Sequence, residues 1–120
     1  MNKRFRLTRS IDFKRVRKQG QSFVHPLVVL VMGSDTTSEP KIGLSVSKSV
    51  GNAVVRNHTK RIFREILRPL LPKIRLNSEF VLVARGPIPT ASYSAVASAV
   101  VSLLSKSRLL LEDTDWQARS

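Results

Sequence analysis

Between residues 41 and 48 the chain alternates without a slip: Ile42, Leu44 and Val46 fall on one side, Gly43, Ser45 and Ser47 on the other. A period of two marks a strand, so the first set is predicted to face a core and the second to form a small, polar floor. Just beyond, the period becomes that of a helix. At about 100° per residue, Arg56, Lys60, Arg64, Asn57, Arg68 and Arg61 fall, in that order, within an arc of roughly 140°. Ile62, Ile66, Phe63 and Leu67 are left to face the core. This helix is predicted to begin near Gly51 or Asn52 and to stop before Pro69, because proline restricts the residue ahead of it.

Weaker signals complete the outline. Ser10 as N-cap and Asp12 in the first turn predict a short helix through about Lys18 that ends near Gly20. Residues 22–25 leave room for an early strand, residues 27–32 are β-rich, and residues 33–40 read as a loop. Residues 79–85 form a short apolar strand closed by Gly86-Pro87-Ile88-Pro89. Thr90 or Ser92 then opens a helix rich in Ala and Val that runs to about Arg108. The predicted order is α-β-β-β-α-β-α, an α/β fold in which a small mixed sheet buries the apolar stripes of helices packed against it. Residues 1–108 form a single domain with a basic arm at 1–9, and residues 109–120, which include the lone Trp116, are a flexible tail.

Charge changes the picture more than composition does. The 120 residues hold 21 Lys and Arg against 8 acids, a net +13. Eight of those cations lie in residues 1–20 and seven in residues 56–75, whereas Glu112, Asp113 and Asp115 sit in the tail. Cations lined up on one helix face repel one another, by a few tenths of a kcal/mol per i,i+4 pair. A monomer gains nothing from that arrangement, but a polyanion laid along the helix turns the repulsion into attraction. Residues 56–68 hold one acid, Glu65, against five cations, whereas an ordinary solvated helix mixes signs. No apolar run is long enough to span a bilayer. The N-terminus has no continuous apolar segment of the kind a secretory signal needs. The lack of cysteine fits a reducing cytoplasm.

The run Arg56-Asn57-x-x-Lys60-Arg61-x-x-Arg64, preceded by residues 43–48 (Gly-Leu-Ser-Val-Ser-Lys) and by Val50-Gly51-Asn52-Ala53, closely resembles the signature of the bacterial ribonuclease P protein subunit. Leu7-Thr8-Arg9-Ser10-x-x-Phe13-x-x-Val16 is similar to that family's N-terminal start, and residues 80–85 to its late strand. The resemblance covers roughly residues 4–106. It implies a small RNA-binding protein that assists a catalytic RNA in endonucleolytic removal of the 5′ leader from precursor tRNA. The implied partners are that RNA subunit and precursor tRNA, with no membrane and no DNA, in the cytoplasm. Mg2+ is expected with the RNA subunit, and no cofactor on the protein's side chains. The resemblance also implies a left-handed crossover from strand 41–48 through the helix to strand 79–85, against the usual hand.

The site residues follow from the residues and the resemblance together. Arg56, Asn57, Lys60, Arg61, Arg64 and Arg68 are the expected RNA-binding set, although Arg68 at the helix end would also be favoured by the helix dipole alone. The resemblance places the single-stranded leader in a cleft between the first helix and the sheet, with Phe13, Arg17, Ser45, Ser47 and Lys48 as its expected lining. Phe13 reads equally as a core residue. Arg17 and Val31 stand where the family often has aromatic residues, and Arg17 can still stack on a base. No catalytic residue is assigned. His25 and His58 lie far apart, no Cys or His cluster suits zinc, and the carboxylates lack the grouping a two-metal nuclease needs. A ribosomal or ribosome-associated RNA-binding protein without cleavage function is the alternative.

Overall fold

Four short runs of β-branched and apolar residues pair into one mixed sheet. They are β1 (Gln21–Val24), β2 (Val28–Met32), β3 (Lys41–Ser45) and β4 (Glu79–Ala84). The sheet order is β1-β2-β4-β3, with β1/β2 and β2/β4 antiparallel and β3/β4 parallel. The computed structural model describes residues 20–33, 41–75 and 78–110. The predicted first helix with Phe13 and Arg17, the basic arm, most of loop 33–40 and the tail from residue 111 lie outside the described residues.

Two helices, α1 (Ala53–Leu67) and α2 (Tyr93–Lys106), pack on one face of the sheet. Alternation along each strand decides what they cover. Leu30, Ile42, Phe80 and Leu82 point to the helices and meet Phe63, Leu67, Leu103 and Leu104, all at most 1% exposed. Burying each such side chain is worth about 1.5–3 kcal/mol. Leu44 and Val46 join this core from the side, as the alternation predicts. The opposite face carries Val29, Val31, Val81 and Val83, in register with Gly43 and Ser45 on the edge strand β3. That face is more apolar than β3 alone suggests, and Val31 and Val81 are buried within it.

Two boundaries differ from the sequence reading, and the end of α1 agrees with it. β3 ends at Ser45 rather than Lys48. The Val50 amide donates to the Ser47 carbonyl at 3.1 Å, closing a turn that delivers Val50 to the core. Ser47 and Lys48 therefore lie exposed on that turn instead of extending the strand's floor. α1 itself ends at Leu67, before Pro69 as predicted, and the chain continues as a 3-10 segment, Arg68–Lys73. Lacking an N–H, Pro69 cannot extend the i→i−4 ladder, so the α-helix ends and the tighter turn takes over. Finally, the body runs past residue 108: Leu109 is 2% exposed, and Leu110 bridges to Ile74. The Arg75 amide donates to the Leu109 carbonyl at 2.7 Å.

Candidate nucleic-acid interface

The start of α1 is built residue by residue. Gly51 is required by close approach: a Cβ there would stand 2.9 Å from Val55 Cβ. Asn52 caps the helix, its Oδ1 accepting from the Val55 amide at 3.0 Å while its carbonyl accepts from the Arg56 amide at 2.9 Å. Such a cap is worth about 1 kcal/mol. It also orients the first turn, from which Arg56 projects. Thr59 Oγ1 donates back to the Val55 carbonyl at 2.9 Å, which is how a polar residue is accommodated at 4% exposure on the buried side.

The two arcs of α1 meet rather than stand opposed. Leu67 lies only about 20° in azimuth from Arg56, and Phe63 about 20° on its other side. The structure buries Thr59, Phe63, Ile66 and Leu67, and leaves Ile62 half-buried. The cations consequently form two ranks. Arg56, Lys60 and Arg64 border the core and are half-buried; Asn57, Arg61 and Arg68 are exposed. Nε of Arg56 and Nε of Arg64 are buried and find no hydrogen-bond partner among the described residues. Leaving such a donor unsatisfied costs on the order of 1–3 kcal/mol. In the outer rank, Arg61 Nε lies 3.4 Å from a Glu65 carboxylate oxygen, one turn on. The inner rank thus holds two guanidinium nitrogens without partners among the described residues, while the outer rank is solvated and partly neutralised.

The remaining predicted residues disperse. Ser45 is half-buried on the sheet face away from the helices. Ser47 Oγ lies 2.7 Å from Ser49 Oγ in the turn, and Lys48 is exposed beside it. His58 is exposed on α1, and His25 serves the β1–β2 turn, where its Nδ1 accepts from the Leu27 amide at 3.0 Å. Among the described residues no three His, Cys, Asp or Glu side chains gather as a metal site, and no helix is long and apolar enough to cross a membrane. Sequence reasoning missed the split of the cations into ranks. The i,i+4 spacing of Arg61 and Glu65 was the available clue to the outer one.

A rank of cations held on a capped helix over a small mixed sheet defines a polyanion-binding α/β domain. Comparison with known proteins specifies which. The Ribonuclease P family model matches residues 1–108. The ribonuclease P protein component of Listeria innocua is 34% identical over 111 residues, covering 92% of this chain and 93% of that protein. That of Streptococcus pneumoniae is 34% identical over 112 residues, covering 93% and 91%. The RNase P protein of Staphylococcus aureus superposes with a TM-score of 0.80 at 27% identity, over 88% of this chain and 97% of that one. The chain belongs to the ribonuclease P protein family. It is an RNA-binding component of that tRNA-processing enzyme and a partner of its RNA subunit. The ribosome-associated alternative finds no support in these relatives.

Proposed function

We propose that the inner rank of α1 docks on the phosphates of the catalytic RNA and that the β3 edge guides the single-stranded leader of precursor tRNA. The observation that carries this reading is the row Arg56, Lys60 and Arg64, in which Nε of both arginines is buried without a partner among the described residues. A phosphate oxygen supplies the acceptor each one lacks, and a charge-assisted bond of this kind is about twice as strong as a neutral one. Asn57, Arg61 and Arg68 add outer contacts, Arg61 after release from Glu65. The cleaving site belongs to the RNA subunit, with its Mg2+, in the cytoplasm. The protein's part is to neutralise phosphates that otherwise repel substrate. The leader then passes Ser45, Ser47 and Lys48, the accessible border of a face whose centre is closed by Val31 and Val81. Phe13 completes that path in the family pattern, with Arg17 standing where the family often has a second aromatic residue.

Reconstitution tests the reading. Protein plus RNA subunit should remove the leader at lower magnesium than RNA alone, and the protein alone should not cut. Robust cleavage by nuclease-free protein would overturn it. For the leader path, Ser45→Trp should obstruct the strand while Leu44 and Val46 hold the core. The holoenzyme should then forfeit part of its preference for precursor over mature tRNA. An unchanged preference in a normally folded variant would place the leader elsewhere.

A further inference from the structure

A second basic feature lies away from α1. A concavity of about 410 Å³ opens where the C-terminus of α2 passes over β1 and the end of β2. Three exposed cations, Arg75, Lys106 and Arg108, stand around a half-buried floor that includes Phe23 and Met32, and among the described residues no acid lines it. The sheet order puts this pocket on the β1 side, whereas α1 packs beside β3 at the other edge. Phe23 and Met32 belong to the helix-facing core. The pocket is thus on the opposite sheet face from Ser45.

Two details favour an anion here despite the nearby helix C-terminus. Three carbonyls in the last turn of α2 are occupied. The Ser107, Arg108 and Leu109 amides donate to the carbonyls of Leu103, Ser105 and Leu104 at 3.0, 3.1 and 2.9 Å, and Arg75 Nη1 lies 3.4 Å from the Arg108 carbonyl. Arg108 also occupies the left-handed region, with φ 61°. Glycine is the usual residue at that position after a helix, because a Cβ there crowds the backbone. The chain keeps a guanidinium where glycine would be easier, and that guanidinium rims the pocket.

We propose that this concavity is a second RNA contact that takes one nucleotide of a single strand. Its phosphate lies among Arg75, Lys106 and Arg108, and its base lies against Phe23 and Met32. A base stacked on an aromatic side chain is a sequence-tolerant contact, and a flanking cluster of cations holds the backbone. The proposal rests on the reading of this protein as an RNA binder but not on α1 as the docking helix.

The test is an NMR titration of the full chain with a short oligouridylate, repeated with inorganic phosphate and with the R75Q/K106Q/R108G variant. Glycine at 108 suits the left-handed backbone, so the fold is retained, as an unchanged amide spectrum elsewhere verifies. Amides of Phe23, Met32 and Ser107 should shift with the oligonucleotide beside those of Arg56 to Arg64. The Met32 methyl should move upfield under a base and not with phosphate. In the variant the pocket shifts should need about tenfold or more oligonucleotide, consistent with the removal of cations that neutralise phosphate, while the α1 shifts persist. Movement at α1 with a silent pocket overturns this site and leaves α1 standing; movement at the pocket alone does the reverse. Equal Met32 shifts with phosphate reduce the site to an anion contact and overturn the nucleotide claim. If the pocket amides respond only to deletion of residues 111–120, the acidic Glu112, Asp113 and Asp115 are the occupant and RNA is not.

Discussion

The two helices have nearly the same length, 15 and 14 residues, and share one face of one sheet, yet they solve different problems. α2 buries Val96, Ala99, Val100, Leu103 and Leu104 and carries a cation only at its last residue, Lys106. It is a core helix. α1 buries four residues, one of them a threonine, and then sets three cations against the border of that same core. Both start from the same device, a side-chain cap from Asn52 or Ser92. The difference between them separates what stability asks of a helix from what a ligand asks. Of the two, α1 alone carries repulsion and orphaned donors that folding by itself does not explain.

The comparison breaks first if the helices are unequal where they should be equal, in the core. Phe63→Ala in α1 and Leu103→Ala in α2, both essentially inaccessible, should each destabilise the fold by about 3–5 and 2–5 kcal/mol respectively. Urea unfolding measures this, and a loss below about 1 kcal/mol at either position would remove that helix from the core.

It sharpens at the cations. Removing Arg56, Lys60 and Arg64 together should lower the slope of log K against log[salt] for the RNA subunit by about 0.9 for each phosphate no longer neutralised. Stability should hold or rise, since repulsion and two unsatisfied donors disappear. Lys106→Ala in α2 should shift that slope by no more than one such increment. Unchanged RNA affinity and salt dependence in the triple variant would make α1 an ordinary solvated helix.

Smaller effects test the helix starts. Asn52→Ala and Ser92→Ala should each cost about 1 kcal/mol, visible as a lower Tm. Asn52→Ala alone should also weaken RNA binding, because the frayed first turn carries Arg56. Equal RNA affinity in both variants would show that the cap does not position the cation rank. Smallest is Glu65→Gln. The exposed pair with Arg61 is worth at most a few tenths of a kcal/mol, so stability should barely move. RNA affinity should rise modestly as Arg61 is freed, and a decrease would mean that Glu65 itself contacts the complex.

Much of this was legible in the residues because local physics is periodic. The alternation at Ile42, Leu44 and Val46 and the cation spacing from Arg56 to Arg64 are properties of single segments. From β1 to α2 the elements therefore came out in order, and the mixed sheet followed from the need to cover their apolar sides. The boundaries came out less well. Val50 folds inward and so ends β3 early, and Leu109 finds a seat beside Ile74; both depend on partners distant in the chain. The site divides the same way. That α1 presents cations was readable, but that Arg56 and Arg64 have buried, unpartnered nitrogens while Arg61 is solvated was not.

The sequence by itself determined which segments are strands and helices, which face of each is apolar, where the positive charge concentrates, and through its signature the family. Those features depend on neighbours within a few residues, where spacing and side-chain chemistry suffice. Only the tertiary structure decided that β3 lies at an edge beside β4, that the cations of α1 split at the rim of the core, and that Arg75 meets Arg108 across 33 positions of chain. Each of these is a packing outcome, set by which surfaces exclude water together, and no local pattern encodes it.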